Sequence, residues 1–82
     1  MSHVSIEYCG TCGLTTKAAT ARQLILREMG DVLSPESVTI RPREGLPLFT
    51  VSVDGEEVLS VPEGDHVDSL AAVNAVRYRL GR

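Results

Sequence analysis

The chain has 82 residues, 43% apolar and 23% charged, with a net charge of −3, one Phe, two Tyr and no Trp. That length accommodates one domain, residues 1–82, around one core, and the mild negative charge argues against a nucleic-acid partner, which calls for a basic patch. No run reaches the roughly 18 apolar residues of a membrane span. The start Met1-Ser2-His3-Val4-Ser5 lacks the pattern of a signal peptide, so a cytoplasmic protein with no membrane partner is expected.

Val4, Ile6 and Tyr8 alternate with Ser5 and Glu7, the pattern of a half-buried strand, and the strand runs into Cys9-Gly10-Thr11-Cys12-Gly13. Leu14, Ala18, Ala21, Ile25 and Met29 then recur at spacings of three and four, which makes one apolar helix face, with Lys17, Arg22 and Arg27 mostly off it. Gly30 is placed to end that helix in the left-handed conformation. Val38 and Ile40 mark a short second strand closed by Pro42, and Arg43-Glu44-Gly45-Leu46 reads as a loop leading to Pro47.

Phe49, Val51 and Val53 alternate with Thr50 and Ser52 in a third strand, and Asp54-Gly55 signals a hairpin. A two-residue turn would set Glu56, Val58 and Ser60 on the apolar face. One extra residue sets Leu59 and Val61 there instead, and a one-residue slip moves every side chain across the sheet. The longer turn, with Asp54-Gly55-Glu56 at its tip, is therefore expected. Pro62 to His66 reads as a loop, and Asp68 as the N-cap of a last helix. That helix carries an apolar stripe of Leu70, Val73, Val76 and Leu80 and ends at Gly81.

The order is β-α-β-β-β-α. Alternating strands and one-faced helices imply a two-layer α+β fold, a four-stranded mixed sheet with both helices on one face. The first βαβ unit makes its two strands parallel. Ser5, Glu7, Thr50, Ser52 and Val58 are expected on the other face, toward solvent. This is a pared-down thioredoxin core.

Cys9 and Cys12 are the only cysteines. A Cys-x-x-Cys pair between a strand and a helix brings two sulfurs within bonding range, and the positive helix end favours a thiolate. The thiolate is the attacking species in disulfide exchange. Gly10 and Gly13 give the backbone freedom to open and close the ring. Three other readings compete: a zinc site completed by His3 and His66, a permanent structural disulfide, whose short loop adds little constraint, and two inert packed thiols. Tyr8 reads as a core or rim aromatic beside Cys9, and His66 as an exposed loop residue. Lys17 and Arg22 read as a solvated helix face able to bias the thiolate.

The run Tyr8-Cys9-Gly10-Thr11-Cys12-Gly13 resembles the motif of the selenoprotein W family, also called the Rdx family. The resemblance extends to Phe49-Thr50-Val51, to Val53-Asp54-Gly55, and to Gly64-Asp65 with Val67-Asp68. It implies a thioredoxin-like fold and a thiol redox role often linked to glutathione; the exchange chemistry itself would draw electrons from glutathione or a thioredoxin-type system and needs no bound organic cofactor. In selenium-containing members the selenocysteine takes the position of Cys12. Where such members carry lysines before the loop's glycine, this chain has Val61-Pro62-Glu63.

The expected function is thiol–disulfide exchange with glutathione or protein thiols and disulfides, using Cys9 and Cys12. Alternatives are a zinc-binding module and a redox-sensing adaptor without turnover. The first sulfur of such a junction is usually the more exposed, which favours Cys9 as the attacking group, whereas the selenoprotein comparison favours Cys12. Leu46-Pro47 falls where thioredoxin-like proteins place a cis proline beside the sulfurs, although an ordinary trans proline at a strand start fits as well.

Overall fold

The alternation around Ile6 becomes strand β1 (Val4–Cys9) in the computed structural model, which describes residues 2–11, 13–44, 48–62 and 65–81. Helix α1 (Thr15–Glu28), a short 3-10 turn (Pro35–Ser37), β2 (Val38–Arg43), β3 (Phe49–Val53), β4 (Glu56–Val61) and α2 (Ser69–Leu80) follow. The sheet has four strands in the order β2-β1-β3-β4. β1 is central, parallel to β2 and antiparallel to β3, and β3 pairs antiparallel with β4. α1 packs on β1 and β2, α2 packs on β3 and β4, and the helices touch each other. The α+β fold expected from the sequence is the one observed.

Val4, Ile6, Phe49, Val51 and Val53 are fully buried from the sheet side, and Ala18, Ala21, Ile25, Ala72 and Val76 meet them from the helices. The alanines keep helix and sheet close. Both helices are held at their N-terminal ends by side chains: Lys17 donates to the Val67 carbonyl at 2.8 Å, and the Ser69 hydroxyl donates to the Lys17 carbonyl at 3.2 Å. Arg22 donates to the carbonyls of Val38 and Pro35. The solvated face expected for Lys17 and Arg22 is therefore incorrect; both tie α1 to its neighbours.

The hairpin differs from its expected form. The turn has two residues, Asp54 and Gly55, with φ of 53° and 86°, and Val53 pairs with Glu56. Positive φ at both central positions is the geometry that matches strand twist. Leu59 nevertheless faces Val51, and Val61 faces Phe49, as expected. A bulge produces this: Ser52 pairs with Glu57 and Val51 with Leu59, so Val58 is the extra residue on β4. Val58 packs partly against the core instead of facing solvent.

Three other expectations are corrected. Pro42 does not close β2; it pairs with Tyr8 inside the strand. β2 is an edge strand, where a residue without an N–H is tolerated. Leu70 is 61% exposed, and Ala72 takes its place in the buried stripe with Val73 and Val76. Leu80 still packs against the core. The third correction concerns Gly30, which is absent from the left-handed glycines. After α1 the chain turns with Val32 and Leu33 donating to the Met29 carbonyl, and a Cβ at Gly30 would lie 2.7 Å from the Leu26 carbonyl oxygen. Glycine is needed there for close approach. Gly30→Ala is expected to force the last turn of α1 apart and cost about 1–3 kcal/mol in chemical denaturation.

Asp68 caps α2 as expected, its carboxylate accepting the Leu70 N–H at 2.9 Å, and Gly81 ends the helix at φ 72°. Asp68→Ala should lower stability by about 1 kcal/mol, read from the urea midpoint. No helix among the described residues is long and apolar enough to cross a membrane.

Candidate functional site

β1 delivers Cys9 to the end of the central strand, where both neighbours hold it. The Cys9 N–H donates to the Leu48 carbonyl at 2.8 Å, and the Gly10 N–H donates to the Arg43 carbonyl at 3.1 Å. The strand end is thus fixed on one side by β2 and on the other by the residue leading into β3. Cys9 is 5% exposed. Its sulfur is held in a disulfide and lies 3.4 Å from the Thr11 hydroxyl. A disulfide sulfur carries no proton, so the hydroxyl is the donor. Cys12 lies outside the described residues, as do Leu46 and Pro47, so the cis-proline expectation falls outside them too.

Cys9 is thus enclosed, where the first sulfur of the motif was expected to be open. Thr11 and Gly13 are exposed, whereas Tyr8 is buried in the core behind the site. Gly13 has φ 73°, a conformation that glycine adopts freely and other L-residues rarely do. Gly10 serves a different purpose: a Cβ there would come 3.1 Å from the Cβ of Pro42. The N-terminus of α1 points out of this loop. Leu14 makes no side-chain capping bond, and no acidic residue sits in the first turn, so no carboxylate offsets the positive helix end.

The open face of the sheet beside Cys9 is less exposed than expected. Alternation places Glu7 and Cys9 on this face of β1. Arg43, the register partner of Cys9, extends across it. Its guanidinium reaches Glu7 at 3.5 Å and the Thr50 hydroxyl at 3.4 Å. Thr50 is consequently buried, where a solvent-facing residue was expected. Arg43 and Leu48 are site residues that reading the sequence missed. The loop expected from Arg43 onward begins one residue later, because Thr39, Arg41 and Arg43 continue the period of β2. Leu48 contributes through its backbone, which leaves no side-chain signal.

The zinc reading with two histidines fails on distance. His3 precedes β1 and Cys9 ends it; the strand has six residues, so roughly 20 Å separates them at about 3.3 Å per residue. No ion reaches both. His3 instead pairs through its backbone with Asp54 and contacts Thr39, and His66 is exposed in its loop. Among the described residues no three His, Cys, Asp or Glu side chains are placed to hold a metal.

The fold recurs in solved structures. A Bordetella parapertussis protein superposes with a TM-score of 0.78 at 23% identity, covering 95% of this chain and 96% of that one. A selenoprotein W-related protein from Vibrio cholerae gives 0.79 at 20% identity, covering 96% of each chain. At these identities the likeness is one of fold, and that fold is thioredoxin-like. No curated protein matches the sequence. The model of the Rdx family matches residues 3–77, nearly the whole chain. With its strand-to-helix cysteine motif carried on that fold, the chain belongs to the Rdx family.

Proposed function

We propose that this protein is a thiol–disulfide oxidoreductase that cycles Cys9 and Cys12 between dithiol and disulfide, exchanging with glutathione or with protein thiols. The observation that carries the reading is the position of Cys9. Its sulfur, engaged in a disulfide, ends the central strand just before the uncapped start of α1. Family membership supports a redox-related role.

In the oxidising direction, the thiolate of Cys12 attacks one sulfur of a partner disulfide and expels the other as a thiolate. Cys9 then attacks Cys12, releasing the first partner sulfur and closing the Cys9–Cys12 bond. Two electrons pass from the protein to the partner. Two glutathione thiols, or one dithiol, reverse both steps and are themselves oxidised. Cys12 takes the attacking role because Cys9 is buried and because the resemblance to selenoproteins puts the reactive atom at that position.

The test is equilibration of the purified protein in graded glutathione buffers, with thiols counted by alkylation and mass spectrometry and zinc assayed on the same sample. A reversible two-electron transition at about −180 to −300 mV, the span of known dithiol proteins, is expected. Cysteines that resist oxidation and carry stoichiometric zinc would overturn the reading. The burial of Cys9 also favours a second one, a redox switch without turnover. Multiple turnover with a disulfide substrate separates the two.

A further inference from the structure

We infer that Arg43 is a positioning residue for the redox pair: its side chain spans β1 on the open face and holds the thiolate that Cys9 becomes when the disulfide opens. The inference rests on the redox reading only for its consequence. The physical claim concerns the Cys9 thiol alone.

Three observations place the guanidinium. Arg43 and Cys9 are register partners in parallel strands, so their side chains leave the sheet on one face, about 4.8 Å apart at the backbone. The Arg43 side chain then reaches Glu7 on β1 and Thr50 on β3. With the strand order β2-β1-β3, it can join those partners only by crossing β1, between the positions of Cys9 and Glu7. The third observation is burial: Cys9 is 5% exposed and Thr50 7% exposed.

The charges around Cys9 divide simply. On β1 the neighbour on this face is Glu7. On β2 it is Arg43, with Arg41 paired to Glu7 and Glu44 exposed next along the chain. β3 offers the neutral Thr50, and the loop offers Thr11 at 3.4 Å. Lys17 of α1 is committed to the Val67 carbonyl. Among the described residues Arg43 is thus the cation aligned with Cys9, and Glu7 is the anion that opposes its effect. An opposite charge near an ionising group favours the charged form.

The chemical consequence lies in the reducing step. An incoming thiolate bonds to the Cys12 sulfur, the Cys9–Cys12 bond breaks, and its electron pair stays on Cys9. A sulfur with a lower pKa leaves faster. Arg43 therefore promotes opening of the disulfide by stabilising the leaving thiolate.

The test uses the Cys12→Ser protein, in which Cys9 is the only thiol, and follows thiolate absorbance against pH. Arg43→Gln in that background should raise the Cys9 titration midpoint by about one unit. Glu7→Gln should lower it, and Arg43→Lys should retain part of the effect. A purely structural role for Arg43 would leave the midpoint where it is in a folded Arg43→Gln protein, and an unmoved midpoint there overturns the inference. If Arg43→Gln fails to fold, Arg43→Met, which keeps the side-chain stem across β1 without the charge, is titrated in its place and is read the same way. Failure of the redox reading shows separately, in the glutathione equilibration of the unaltered protein.

Discussion

Cys9→Ser should abolish the reversible two-electron transition and leave a protein that captures its partner without releasing it. In this variant Cys12 is the remaining cysteine, so oxidised glutathione can form a mixed disulfide on it but no resolving sulfur follows. Cys12→Ser should behave differently. Its thiol is Cys9, 5% exposed, and should trap partner slowly or not at all. Intact-mass measurement of both variants after exposure to oxidised glutathione reads the difference. A stable adduct on Cys9 in Cys12→Ser, with none on Cys12 in Cys9→Ser, would reverse the assigned roles. The fold should survive in Cys9→Ser, because the serine hydroxyl can still meet Thr11 and the backbone bond from residue 9 to Leu48 is unchanged. Relative to oxidised protein, the lost cross-link costs about 2 kcal/mol on the chain-entropy account of so short a loop.

How far the sequence announces this arrangement depends on the range of each interaction. β1, β3 and both helices follow from periodicity, because alternation and the spacing of Ala18, Ala21 and Ile25 are local records of which side meets the core. The same record was right about the hairpin's face and wrong about its device. A longer turn and a bulge at Val58 produce the same one-residue shift, and alternation registers the shift without its place. Pro42 misled for the converse reason. A local stop signal was read without knowing that β2 lies at the edge, where strand order decides what a proline costs. Gly30 was read through its usual role, whereas the crowding by the Leu26 carbonyl becomes visible only once the turn after α1 exists.

The site divides along the same line. Cys9, Gly10, Thr11 and Gly13 were legible because the motif is contiguous and sits at a strand-to-helix junction. Arg43 and Thr50 were not. They join Cys9 and Glu7 only through the order β2-β1-β3 and its register, which no window of the sequence contains. The expectation that Thr50 faces water was sound for its parity and failed because an arginine from two strands away lies over it.

Phe49→Ala should be the most damaging single substitution in the core, and it should loosen the redox site as well. Phe49 is the only phenylalanine, is fully buried, and heads the largest completely enclosed side chains. It sits between Tyr8 on β1 and Val61 on β4, facing the helices. Truncating a buried Phe costs about 3–5 kcal/mol through lost transfer energy and the cavity left behind. A small domain has about 5–15 kcal/mol in total, so the variant should be close to unfolding at 25 °C, with a urea midpoint far below that of the parent. Tyr78→Ala provides the contrast: it removes another aromatic, but one that is 90% exposed, and should change stability by no more than about 0.5 kcal/mol. The link to the site is covalent, since Phe49 follows Leu48, whose carbonyl holds the Cys9 N–H. A cavity beneath the start of β3 frees that carbonyl to move. Amide exchange at Cys9 should therefore accelerate in Phe49→Ala beyond what its lower global stability explains. Equal acceleration at Cys9 and at Val4, the opposite end of the same strand, would instead mean that the ring supports the whole sheet evenly and the site has no particular dependence on it.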